Sequence, residues 1–372
     1  MIKLSSPYVG KEEFEEIKKV LDSGYLVQGE KVQQFELMVS EYLNVKYCIA
    51  VSSGTAALHL ALLTLGIGRG DEVIVSDFTF PATANVVEFV GASAKLADIR
   101  PDSFCIDTEK IEASITDKTK AILPVHEFGQ CADMDIIKTI AQKYNLKVIE
   151  DAACALGSEY KGRKAGTLGH ISCFSFHPRK AITTGEGGML ATDNEELAQM
   201  ARVLRNHGIN NVNGKLEFTA AGLNYRMTDL QASMGIAQMK KLEAVIEKRR
   251  YIAAQYGDIL KNIESLTLPY EKEYGRHTYQ TYHIILSAKV NRDLLKEQLL
   301  ANGIECNIGA YALHQQLYYR EKYRYAAKAF PESFFAYKQG LALPLHNQLS
   351  DNDIKLICHS LTSLLKKAQN GK

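Results

Sequence analysis

The chain has 372 residues, 46% hydrophobic and 23% charged, which is enough for two domains with a sizeable core and too apolar for a disordered chain. Its 44 basic and 43 acidic side chains nearly cancel, so there is no field to attract nucleic acid or an anionic membrane surface. Seven cysteines at irregular spacing, outside any C-x-x-C or zinc pattern, point to a reducing cytoplasm and no metal site, and the opening MIKLSSPYVGKEEFEEIKKVL has no apolar signal run.

Phe14, Ile17 and Leu21 recur at helical spacing, so 11–21 predicts an amphipathic helix, and 30–43 reads as a second. From Tyr47 short strands and helices alternate: CIAVS, TAALHLALLTLG, DEVIVSD, ATANVVEFV and AKLADI, then KAILPV, a helix over 134–144, and LKVIED. That alternation predicts a mainly parallel sheet covered by helices. The apolar run over 56–66 contains His59 and is too short to cross a bilayer. A long helical stretch covers 229–260. Strand character returns in YQTYHIIL, followed by a helix over 292–301, a strand-like IECNIG and a last helix over 351–366. Lys240-Lys241 and Lys248-Arg249-Arg250 share their stretch with Glu243 and Glu247, which reads as a solvated helix face. We divide the chain into a large domain over 25–244 and a small one over 245–372, with residues 1–24 packed on the small domain.

Three segments carry chemistry. In ISCFSFHPRKAITTGEGGML, Lys180 stands between two apolar runs, ahead of a glycine-rich turn. Displaced from bulk water, its ammonium pKa falls and the free amine becomes a nucleophile for Schiff-base formation, with a carbonyl substrate or with pyridoxal phosphate (PLP). A surface lysine in a glycine turn fits the same letters. NLKVIEDA is a strand ending in carboxylates. Asp151, at the carboxyl end of a strand where α/β sheets bind ligands, can hold a pyridinium nitrogen protonated, or simply cap the next helix. In AVSSGTAALHLALLTLG, Ser52, Ser53, Gly54 and Thr55 precede a helix. Free amides there bind anions such as phosphate, and Gly54 allows close approach, although an ordinary N-cap explains Ser53 or Thr55 equally well. His207-Gly208 reads as a helix end.

Together these segments resemble the DegT/DnrJ/EryC1/StrS family of PLP-dependent sugar aminotransferases, from about residue 4 to 349. The resemblance rests on the ordered motifs SSGTAAL, DFTFPATANVV, PVHEFGQCADMD, EDAACALG, SFHPRKAITTGEGG, LRNHG and NYRMTDLQAS. It implies the α/β, fold-type I (aspartate-aminotransferase-like) architecture, with a mainly parallel sheet in the large domain and a smaller α+β C-terminal domain. It also implies that Lys180 is the internal-aldimine lysine and proton carrier, that Asp151 pairs with the pyridinium, and that Gly54, Thr55 and Ser175 hold the phosphate. Phe80 would stack on the ring, and Asn224 would reach the phosphate of a neighbouring subunit in a homodimer. Arg226 would lie at that boundary, Tyr311 and His314 would face the substrate, and His126 would stand near the active-site mouth or be a satisfied strand-end histidine. The implied reaction moves an amino group from L-glutamate, through pyridoxamine phosphate, to a nucleotide-linked keto-sugar. A smaller phosphorylated ketone, or a non-catalytic protein retaining the fold, are the alternatives. Relatives that dehydrate sugars replace the lysine with His. Two departures stand out: Cys154 occupies a position where many relatives carry Gln or His near the ring 3′-oxygen, and the stretch 307–314 lacks their leading His and Pro.

Overall fold

Val73, Ile74 and Val75 set the plan of the molecule. A computed structural model describes residues 1–326 and 328–369. In the strand Glu72–Ser76, Ile74 joins one apolar cluster with Ile122, Val148 and Phe174, while Val73 and Val75 join the opposite one with Leu123, Ile149 and Cys173. A strand's period of two sends successive side chains to opposite faces, and apolar residues on both faces require cover on both. Helices Glu30–Leu43, Met134–Lys143 and Asp229–Met239 cover one side, and Gly54–Thr64, Ala82–Phe89 and Glu195–Arg205 the other.

The resulting sheet has seven strands in the order Tyr47–Val51, Gly188–Thr192, Ile171–Ser175, Lys147–Asp151, Thr119–Leu123, Glu72–Ser76, Ser93–Ala97. Only Gly188–Thr192 runs against the others. A second core lies under the antiparallel strands Leu266–Thr267, Tyr282–Leu286 and Gly340–Leu343, with helices Arg292–Ala301 and Asp351–Gln369 and the far half of Leu242–Leu260. This is the expected fold-type I α/β architecture. No helix among the described residues is long and apolar enough to cross a membrane.

Four expectations change. The helical stretch over 229–260 breaks at Lys240-Lys241 into Asp229–Met239 and Leu242–Leu260. The first half packs on helices Lys11–Ser23 and Glu30–Leu43, the second starts in the same core with Leu242 and Ile246 and joins the C-terminal core from Ile252, and Lys241 at the break bonds Glu12 and Glu13. Residues 1–24 do not pack as one piece on the C-terminal unit. Ile2 and Leu4 pair with residues 304, 305 and 345, but helix Lys11–Ser23 lies on Asp229–Met239. Its buried positions are Glu13 and Val20, whereas Phe14 and Leu21 are 64% and 56% exposed. The stretch IECNIG forms only isolated bridges, at Ile304 and Asn307. Finally, Arg249 is buried and not solvated.

The segment bearing Lys180 is braced from below. Phe35 is fully buried, its ring is 5.1 Å from that of Phe176, and a Cβ at Gly235 would sit 2.7 Å from it. Phe35→Ala should cost about 3–5 kcal/mol, read as a lower urea midpoint at unchanged slope. A loss under about 1 kcal/mol would show that the helix closes the cavity by shifting.

Candidate active site

Three parallel strands end at one place, and their last residues supply the site. Tyr47–Val51 runs into Ser52 and Ser53, Lys147–Asp151 ends on Asp151, and Ile171–Ser175 ends on Ser175. Beyond them opens a cavity of about 680 Å³, whose walls include Gly54, Thr55, Asp151, Ser175 and Lys180.

Ser53 caps helix Gly54–Thr64 by accepting from the Ala56 N–H at 3.0 Å. The amides of the first turn precede that bond, at the positive end of the helix. A Cβ on Gly54 would lie 2.7 Å from Ser175 Cβ, and one on Gly188 would collide with the Ser53 carbonyl. Only glycine lets the helix start close on the strand ends. The cradle has the hydroxyls, amides and polarity for a phosphate.

Asp151 is buried. Its Oδ2 accepts from Thr83 Oγ1 at 2.8 Å and its Oδ1 from the Ala153 N–H at 3.1 Å. Thr83 in turn touches Thr79 at 3.1 Å. Burial pushes the Asp151 carboxyl above its ordinary value despite these donors and the nearby Lys180. No cation among the described residues forms an ion pair with it, and a protonated ring nitrogen is the partner such a carboxylate lacks.

Lys180 sits in a turn, with its N–H on the His177 carbonyl, and its Nζ donates to Cys154 Sγ at 3.0 Å. The expected direction of its pKa is overturned. Burial alone would lower it, but Cys154, Asp151 and Glu127 outweigh burial and hold the ammonium above the usual lysine value. The Cys154 thiol is pushed up, mainly by burial. Phe80 is 66% exposed along the same cavity. Phosphate cradle, aromatic wall, buried carboxylate and lysine amine together fit PLP.

Other expected residues lie elsewhere. His314 does not line the cavity: it is buried, with Nδ1 at 2.6 Å from Asp77 Oδ2. Tyr311 pairs with Thr79 across a short antiparallel ladder, its ring 6.4 Å from that of Phe80, also off the cavity wall. Asn224 is exposed, and Arg226 donates to Asn206 at 2.6 Å; neither lines the cavity of its own chain. His126 is no mouth residue. It is fully buried, with Nε2 at 2.8 Å from Glu150 and Nδ1 accepting from Ala132. Gly208 closes helix Glu195–Arg205 on the Val203 carbonyl.

Two residues carry more than their sequence suggested. Arg249, within a charge cluster, reaches in and donates to the Lys180 carbonyl at 2.9 Å, and burial lowers its pKa to about 10. Glu127 lines the cavity at 5% exposure. Its Oε2 has no partner among the described residues, and burial followed by Asp151 raises its pKa to about 8. Leaving such an atom unsatisfied costs about 1–3 kcal/mol.

A model of the DegT/DnrJ/EryC1/StrS aminotransferase family matches residues 7–362. Among curated relatives, the spore coat polysaccharide biosynthesis protein SpsC of Bacillus subtilis is 40% identical over 377 residues, covering 98% of this chain and 97% of the relative. The GDP-perosamine synthase of Caulobacter vibrioides is 38% identical over 368 residues, covering 98% of each. Among solved structures, Spr1654 from Streptococcus pneumoniae, a candidate sugar aminotransferase in its PLP form, superposes with a TM-score of 0.94 at 27% identity, covering 99% of both chains.

Proposed function

The chain belongs to the DegT/DnrJ/EryC1/StrS aminotransferase family and is a PLP-dependent aminotransferase, and from that premise we propose that it moves an amino group from L-glutamate to a nucleotide-linked keto-sugar, with Lys180 as the reactive amine. The observation that carries this reading is the cavity shared by Lys180, Asp151 and the Gly54–Thr55 helix start. The relatives' names, a polysaccharide biosynthesis protein and a GDP-perosamine synthase, support the acceptor class.

In this reading PLP, when bound, supplies the electron sink that stabilises the carbon losing its proton. The chain supplies the rest. Gly54, Thr55 and Ser175 hold the phosphate, Phe80 covers the ring, and Asp151 keeps the ring nitrogen protonated. Pairing Asp151 with that cation removes one anionic neighbour of Lys180 and lowers its affinity for a proton. The Nζ of Lys180 then takes the proton from the donor carbon and returns it on the other side of the transfer. Arg249 holds the lysine's backbone in place through its carbonyl.

We also propose that two copies pair, so that exposed Asn224 reaches the partner's phosphate and Arg226 stands at the boundary. Exposed Phe14, Leu21, Tyr25 and Val27 are apolar surface that a second copy would cover. The division at 25–244 and 245–372 and a cytoplasmic setting, with all seven cysteines unpaired, complete the proposal.

A split reaction tests it. PLP-loaded protein mixed with L-glutamate alone should release one 2-oxoglutarate per site. After removal of the donor, a nucleotide-linked keto-sugar, and not a small keto-phosphate, should leave as its amine by mass spectrometry. Release of no keto acid would remove glutamate as the donor, and amination of the keto-phosphate alone would move the enzyme to a different acceptor class.

A further inference from the structure

Glu127 is held where it is by backbone that few residues adopt. It opens a short turn in which Phe128 has φ 55° and Gly129 φ 98°. Left-handed backbone at a bulky residue persists only where surroundings over-determine it, and such strain gathers at functional sites. The surroundings do so here. The Phe128 carbonyl accepts from the Gln280 N–H at 2.8 Å, the Gly129 carbonyl accepts from Ser158 Oγ at 2.6 Å, and the Phe128 ring lies 4.5 Å from that of His283. The outcome of that clamping is a carboxyl on the wall of the Lys180 cavity, with Oε2 lacking a hydrogen bond among the described residues.

We propose that Glu127 is a specificity-determining residue, whose carboxyl binds one hydroxyl of the sugar acceptor. The inference rests on the acceptor class proposed for this site. The carboxylate and the amine of the mechanism are already engaged, Asp151 by Thr83 and Ala153, and Lys180 by Cys154. Glu127 alone among the cavity's acids brings an unpartnered buried oxygen to the ligand. A carboxyl kept in its acid form near neutrality both gives and accepts a hydrogen bond, and a hydroxyl does the same. A site built around such a bond discriminates strongly against an analogue lacking the hydroxyl, because its own polar atom is then stranded.

The test compares wild type, E127L and E127Q, all PLP-loaded. Without acceptor, E127L should unfold about 2 °C higher or more, since a stranded polar atom is replaced by an apolar one of similar size. A lower unfolding temperature would mean that the carboxyl serves the fold, and would overturn the proposal. Calorimetric binding to the amine form then compares UDP- and GDP-linked hexoses with their monodeoxy analogues. Wild type should prefer one parent sugar over one deoxy analogue by about 10–100-fold; E127Q should keep most of that ratio and E127L should bring it below about 3-fold. If the sugars bind but E127L keeps every ratio, Glu127 is not the determinant and the acceptor class stands. If no nucleotide-linked hexose binds wild type, the acceptor class itself fails, and the role of Glu127 with it.

Discussion

Lys180→Ala should lower amino transfer from L-glutamate by at least about 10⁴-fold, since in the proposed reaction it removes the nucleophile and the proton carrier together. The fold should survive. The Lys180 side chain makes one hydrogen bond, to Cys154, while its backbone carbonyl stays on Arg249 and its N–H on His177. Alanine keeps both backbone contacts, so urea unfolding should stay within about 1 kcal/mol of wild type. The variant should still bind PLP through the cradle around Gly54 and Ser175, but reversibly, and dialysis should remove it. Added primary amines should restore part of the rate, because they replace the missing base in the space the side chain leaves. Turnover within tenfold of wild type would remove Lys180 from the reaction.

Asp151→Asn should lower kcat by about 10²–10³-fold with a much smaller effect on the unfolding free energy, because in the proposed reaction the change removes the charge that would pair with the ring nitrogen and little else. The amide keeps the acceptor for the Ala153 N–H and a polar atom toward Thr83. The sign of the stability effect follows from the raised carboxyl pKa. A group whose folded value lies above its unfolded one stabilises the fold below the ordinary carboxylate range, and that contribution is lost as pH rises through the shifted value. In cofactor-free protein at neutral pH, D151N should therefore be no less stable than wild type, and its stability should vary less between acidic and neutral pH. PLP should reverse the order, stabilising wild type more than the variant by mass action. A variant with full kcat would mean that the ring nitrogen needs no anionic partner.

Much of the fold was legible because the hydrophobic periods were clean. The helix over 30–43 matches its predicted bounds, with Val32, Phe35, Val39 and Leu43 buried. The central strands read true because both their faces are apolar. The break at Lys240-Lys241 left no trace in the period, since apolar residues run through it into the same core, from Ala232 and Ile236 to Leu242 and Ile246, and the helix changes core only from Ile252. Helix Lys11–Ser23 misled in a different way. Phe14 and Leu21 face outward, while Val20 is buried together with Glu13, which is satisfied by Gln238 and Lys241 far along the chain. Asp151, Gly54 and Ser175 could be placed together because each stands at the end of a readable strand or the start of a readable helix, and Lys180 follows the strand that ends on Ser175 by one turn. Glu127 and Arg249 could not. A buried carboxyl in a strained turn and a buried guanidinium in a charge run look in sequence like solvated residues. His314 shows the reverse: its partner, Asp77, is a strand-end carboxylate that sequence alone leaves unassigned.

Arg249 has one more consequence. Helix Leu242–Leu260 carries Ile252, Tyr256 and Leu260 into the C-terminal core, and a turn earlier the Arg249 guanidinium grips the Lys180 carbonyl. The C-terminal core and the main chain at Lys180 are thus joined through one helix and one guanidinium. Whatever fixes that helix against the C-terminal core therefore also fixes the main chain at Lys180.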